Sequence, residues 1–123
     1  ESPRFAWKPV TGSDLVELPV TTAKLGNRTL AAGGGGFFRL LPYGFSRWAI
    51  RQVNHQAGRP AIIYFHPWEI DPDQPRVADA PLRSRLRHYS NLSVMAAKLR
   101  RLTRDFAWTR VDALADAEAA RAS

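Results

Sequence analysis

Three features of this chain predict an α/β fold. A helix-spaced set of apolar residues near its middle stops at a glycine, and the uninterrupted apolar run Ala61-Ile62-Ile63-Tyr64-Phe65 follows at once. Helix, short turn and apolar strand in that order make the repeating unit of parallel sheets and barrels. A second amphipathic stripe lies at about 92–106, so helices and strands alternate along the chain. At 123 residues the chain predicts a single domain, 1–123, with one modest core.

Residues Glu1 to Ser13 read as irregular, because Pro3, Pro9 and Thr11-Gly12-Ser13 interrupt any regular pattern. Asp14 to Leu30 reads as extended, with β-branched Val16, Val20, Thr21 and Thr22 favouring strand and Pro19 confining it to an edge or a bulge. Gly26-Asn27 is a tight-turn pair that predicts a short returning strand at Arg28–Ala31. The helix at about 41–56 places Leu41, Phe45, Trp48, Ala49 and Val53 on one face, with Pro42 in its first turn and Gly58 as its stop. Its Arg47, Arg51 and Gln52 are expected in solvent. The run Ala61–Phe65 has the pattern of a strand buried on both faces. In the helix at about 92–106, Leu92, Met95, Ala96, Leu99, Leu102, Thr103 and Phe106 form the apolar stripe, Lys98, Arg101, Arg104 and Asp105 lie opposite, and Ser90 or Asn91 can cap it. Trp108 to Val111 reads as extended and the alanine-rich tail from Asp112 to Ser123 as helix. Residues from about 76 to 123 are thus expected to form a basic helical C-terminal extension.

Composition narrows the function. Lys and Arg number 18 against 11 Asp and Glu, a formal charge of +7, and fields of that sign attract polyanions. The excess is local: Leu82 to Arg104 carries Arg83, Arg85, Arg87, Lys98, Arg100, Arg101 and Arg104 and no acid. Cysteine is absent, which excludes disulfides, thiolate metal sites and a cysteine nucleophile. No apolar run approaches the roughly 20 residues of a membrane span. The first twenty residues hold no apolar stretch of the secretory kind, and the compartment is left open. A start at Glu1-Ser2-Pro3-Arg4 without an initiator Met suggests a piece of something longer.

Two segments could carry chemistry. Gly33-Gly34-Gly35-Gly36 has a large ordering cost, so either something approaches its backbone or it is a flexible connector. It lacks the partner residues of a phosphate-binding loop. His66 follows the apolar strand, at the end where open-sheet and barrel enzymes place reactive groups, and imidazole suits proton transfer near neutrality. The competing reading of His66 is a hydrogen-bonded structural residue. Glu69, Asp71 and Asp73 lie close by, and Asp-Pro-Asp is most often turn chemistry. His55, His66 and His88 are far apart, and no metal site within this chain is expected. No Gly-x-Ser-x-Gly elbow supports a serine nucleophile.

Three strings carry a resemblance: Gly33-Gly34-Gly35-Gly36-Phe37-Phe38-Arg39-Leu40-Leu41-Pro42, Tyr64-Phe65-His66-Pro67-Trp68-Glu69-Ile70-Asp71-Pro72-Asp73-Gln74-Pro75-Arg76, and Arg87-His88-Tyr89-Ser90-Asn91-Leu92. In these the chain resembles the C-terminal part of exosortase-associated (PEP-CTERM type) bacterial polysaccharide deacetylases, a branch of the NodB-type, chitin-deacetylase-like carbohydrate esterases. The resemblance implies the C-terminal portion of a distorted (β/α) barrel and removal of N-acetyl groups from an amino-sugar polysaccharide. It implies a divalent metal, usually zinc, in the full-length enzyme, held by N-terminal motifs that this sequence does not contain. The chain alone is therefore expected to bind no catalytic metal and to be inactive, with the missing N-terminal half of the barrel as its partner. Phe65-His66-Pro67 matches the motif that supplies the general acid, which makes His66 the expected catalytic residue. Trp68, Gly34, Gly35 and Arg39 are the expected substrate-binding positions.

An alternative reading makes the chain a non-catalytic module whose Arg83, Arg85, Arg87, His88 and Tyr89 hold an anionic polysaccharide or another polyanion. No recognised nucleic-acid motif accompanies the charge, which disfavours nucleic acid as that partner.

Overall fold

The computed structural model describes residues 3–121 and has mixed helices and strands, consistent with an α/β fold. Its strands β1 (Thr22–Leu25) and β2 (Arg28–Ala31) form an antiparallel hairpin in which Thr22 faces Ala31 and Leu25 faces Arg28. Gly26 turns the chain with a φ of 58°, the positive value that the first central residue of a two-residue hairpin turn demands. The outer edge of β1 is occupied by a side chain: the Gln52 amide accepts from Lys24 N–H at 2.7 Å and donates to Lys24 O at 2.7 Å. Such pairing blunts an edge that would otherwise recruit another strand.

Helices follow the hairpin: α1 (Gly35–Leu40), α2 (Tyr43–Arg51), α3 (Leu82–Tyr89), α4 (Leu92–Asp105) and α5 (Val111–Arg121). A π-helical turn, Gln52–Gln56, carries α2 toward Gly58. Phe38, Tyr43, Ile50, Met95 and Leu102 form the main buried cluster, with Ala61, Ile63, Leu99 and Phe106 packed against it. A smaller cluster of Ala23, Ala32 and Ala49 joins the hairpin to α2.

Several expectations need correction. The extended reading of Asp14 to Leu18 reduces to one bridge, Trp7 to Glu17. Two of the four glycines lie within α1, so the run is neither a loop throughout nor a plain connector. The expected face of α2 is rotated: Tyr43, Ser46, Ala49, Ile50 and Val53 are buried, whereas Trp48 is exposed and packs its ring on Phe45. The run Ala61–Phe65 is extended but is not a strand buried on both faces, because Tyr64 and Phe65 are exposed. Its backbone partners are Thr21 and Gly33, through Thr21 N–H to Ile62 O at 3.1 Å and Tyr64 N–H to Gly33 O at 2.9 Å. Among the described residues it makes one parallel bridge, Gly34 to Tyr64, and while Ala61 and Ile63 pack against the main cluster, no second layer covers Tyr64 and Phe65.

Helix α4 matches its expected span, and Leu92, Met95 and Leu102 are its buried residues. Neither proposed cap acts at its start: Asn91 sits at the N-cap with a φ of 60° and donates its amide to Arg39 O, while the Ser90 hydroxyl donates backward to Leu86 O. Lys98 is not a solvent-facing charge. Its ammonium donates to Phe38 O, Arg39 O and Leu41 O at 3.2, 2.8 and 2.8 Å, supplying the carbonyls that the end of α1 leaves without helical partners. Burial lowers the Lys98 pKa. His88 lies in the last turn of α3. The alanine-rich tail is helical as α5, and buried Glu118 ties it back through Arg59 at 3.2 Å. Glu1 and Ser2 of the expected irregular start, and Ala122 and Ser123 of the tail, lie outside the described residues.

Tyr43 makes this core sensitive to alkali. Its hydroxyl donates to Asp105 Oδ2 at 2.8 Å. Burial, then the hydrogen bond and negative charge of Asp105, push its pKa up to about 12 from 10.0. The folded chain holds a proton that the unfolded chain releases near pH 10, so this contribution is complete below pH 10 and is lost as pH rises to about 12. Tyr43→Phe is expected to remove about 2 kcal/mol of that pH-dependent stability. Urea midpoints measured between pH 9 and 12 check this; an equally steep alkaline decline in the variant would refute it.

Candidate functional site

The sequence Tyr64-Phe65-His66-Pro67-Trp68 alternates so that three rings come to one side of the backbone. The His66 ring stacks on Trp68 with centroids 4.0 Å apart and an interplanar angle of 10°. Tyr64 meets His66 edge-on at 5.7 Å. All three side chains are exposed, and Trp68 retains 46% of its accessible surface. Pro67 at the start of the 3₁₀ turn Pro67–Ile70 fixes the direction in which Trp68 leaves the chain.

Beneath this ring row lies Glu69, the one buried residue of the turn, at 5% exposure. Its Oε2 accepts from the His66 N–H at 3.0 Å, and its Oε1 faces the guanidinium of Arg39 at 3.3 Å. Arg39 is 4% exposed and also donates from Nη2 to Arg87 O at 2.6 Å, while its Nε finds no acceptor among the described residues. Glu69 therefore anchors the backbone of His66 to α1 and, through Arg39, to the end of α3. Its carboxylate is committed to these partners.

The glycine run sits against the same turn. A Cβ on Gly35 would overlap the Glu69 carboxylate and come within 2.8 Å of Phe65 Cβ. One on Gly33 would overlap Ile62 O and lie 2.7 Å from Thr21 N. The close approach anticipated for these glycines is thus made by the chain's own segments. Gly34 has Tyr64 as its nearest neighbour and pairs with it across the parallel bridge.

The expected site residues are consequently close in space. His66 and Trp68 form the stack, Gly35 packs behind Glu69, Gly34 pairs with Tyr64, and Arg39 reaches Glu69. Gly34, Arg39 and Tyr64 also line an open groove of about 620 Å³ that runs to Arg85, Arg87, His88 and Tyr89 of α3. Gln74 bridges the two sides, donating to Trp68 O at 2.6 Å and pairing with His88 Nε2 at 3.0 Å. Asp71 behaves as a turn residue, its Oδ1 accepting from Asp73 N–H at 3.0 Å. Sequence reasoning overlooked Tyr64 and the anchoring role of Glu69; the alternation of rings at 64, 66 and 68 was the available signal for the first.

The metal implied by the resemblance does not fit these residues. Among the described residues no group of three His, Asp or Glu side chains comes together in a way that could hold an ion. No described helix is long and apolar enough to cross a membrane. Neither a curated protein nor a solved structure matches the chain. A family profile does match, over residues 1–116, and the chain belongs to that family, described as Domain of unknown function (DUF3473).

Proposed function

We propose that this chain supplies the general acid and part of the substrate groove of a polysaccharide N-deacetylase. The catalytic metal, zinc in the reading drawn from the resemblance, would be held by the N-terminal half of a (β/α) barrel outside these residues. The observation that supports the reading is the exposed His66–Trp68 stack, held from behind by Glu69.

Each part has a physical task. An exposed indole offers an apolar face to the C–H face of a sugar ring, and stacking on the imidazole limits the rotation of His66. The Glu69 hydrogen bond fixes the His66 backbone, so the ring is presented from a rigid turn. In amide hydrolysis the oxygen of water adds to the acetyl carbon as its proton passes to a base, which the N-terminal half would supply, and the C–N bond then breaks. Protonated His66 would donate its proton to the departing nitrogen, leaving acetate and a free amino sugar.

His66→Ala in the full-length protein is expected to lower acetate release from N-acetylglucosamine oligomers about 10²–10⁴-fold. The fold should persist, since His66 is exposed and its backbone bond to Glu69 survives the substitution. Unchanged turnover would end the acid assignment. Absence of acetate release from the unmodified full-length protein would end the hydrolase reading.

A further inference from the structure

The groove between α1 and α3 has a chemistry of its own. Its volume of about 620 Å³ falls in the range of small-ligand sites, roughly 300–1,000 Å³. Phe37, Leu40, Tyr64 and Tyr89 give it apolar and aromatic surface. Arg85 and Arg87 stand on its α3 wall with His88, and no acidic side chain lines it. Arg39 reaches the wall too, with its charge balanced by Glu69. Among the described residues no acceptor engages the guanidinium of Arg87, while that of Arg85 has one long contact, 3.5 Å to Ala78 O. The Ser84 hydroxyl adds a polar group one helical turn from His88.

We propose that this groove is a subsite for a sugar residue carrying a carboxylate. The inference rests on the proposed function in one respect, that this sugar is a neighbour in the polymer of the unit offered to His66. Arginine presents a planar fork matched to carboxylate, and an aromatic floor accepts the apolar face of a pyranose ring. Tyr64 provides the continuity: it lines the groove and also touches His66 edge-on at 5.7 Å. One polymer can therefore run from the stack at His66 and Trp68 into the cationic groove.

The same charges do not form the extended track that a nucleic-acid backbone requires. Lys98 is spent on three carbonyls of α1, Arg101 lies over the Tyr43 ring at 4.4 Å, and Arg104 Nε donates to Arg100 O. The basic run of the sequence is thus divided by the fold, and the part facing the groove is the pair Arg85 and Arg87.

Calorimetric titration of the full chain tests this with two trisaccharides, trigalacturonate, which carries a carboxylate on each ring, and the fully N-acetylated chitotriose, which is uncharged. Trigalacturonate is expected to bind more tightly, with an affinity that falls as salt rises. The Arg85→Gln and Arg87→Gln substitutions, both at exposed positions, should each weaken it about tenfold. Arg83→Gln, outside the groove, should leave it unchanged. Equal affinity for chitotriose, full binding by the double variant, or displacement of trigalacturonate by polyuridylate at equal concentration would each overturn the assignment. Because binding is read without turnover, the two proposals fail separately. Arginine-dependent binding in a protein that releases no acetate would leave the subsite standing and remove the hydrolase, and acetate release with no preference for the acidic trimer would do the reverse.

Discussion

Glu69→Ala is expected to destabilise the fold by about 3–5 kcal/mol, the usual loss when one partner of a buried ion pair is removed. The reason is what remains behind. Arg39 would keep a buried guanidinium with Arg87 O as its hydrogen-bond partner, and its Nε already lacks an acceptor among the described residues. The His66 N–H would lose its acceptor at the same time. Glu69→Gln should cost less, because the amide oxygen can still accept from one donor while the charge is lost. Urea denaturation of the three proteins checks the order, and an alanine variant within 1 kcal/mol of the parent would show that the pair is not buried as described. Loss of the anchor should also loosen the ring stack, readable as a change in the Trp68 contribution to near-ultraviolet circular dichroism.

Gly33→Ala should be nearly as damaging, at about 3 kcal/mol, and for a purely steric reason. The added methyl would meet Ile62 O and Thr21 N, both backbone atoms that are held in place by their own hydrogen bonds. Neither can swing aside as the end of a long side chain could. Gly36 provides the contrast within the same run. It lies inside α1 with open space where a Cβ would go. Gly36→Ala is therefore expected to stabilise by up to about 1 kcal/mol, the helix preference of alanine over glycine. Thermal melts of the two variants side by side measure the difference, and similar melting temperatures would refute the steric account.

These glycines also mark what could be read in advance. Local patterns were legible: the Gly26-Asn27 hairpin, the α4 stripe through Leu92, Met95 and Leu102, and the helical tail all follow from short-range rules. Features that depend on distant partners were not. Ala61–Phe65 has strand composition, yet a strand is defined by neighbours, and here those are Thr21 and Gly33. Lys98 sits on the polar side of its helix by spacing, and nothing in α4 itself indicates that the end of α1 lies above it. Of the site, His66 stood out through its place after an apolar run, Gly34 and Gly35 through the glycine run, and Trp68 and Arg39 through the resemblance. Their proximity in space could not be seen because it runs through Glu69, whose pairing with Arg39 spans 30 positions.

Thr21 shows how such distant relations are tied together. Its N–H donates to Ile62 O, its hydroxyl oxygen accepts from the Ile62 N–H, and its carbonyl accepts from both Ala32 and Gly33. One residue thus closes two nested loops, a short one around the hairpin and another of 41 positions to Ile62. Closure entropy grows only with the logarithm of loop length, so joining the hairpin to the 60s segment directly costs little more than closing either span alone. The larger consequence is kinetic in kind. Helices α4 and α5 can form from contacts within a few residues, whereas the turn that presents His66 acquires its position only after three separated stretches have met at Thr21. Presentation of the ring row is therefore a property of the assembled topology, and contacts of that sequence separation are expected to form after the local helices.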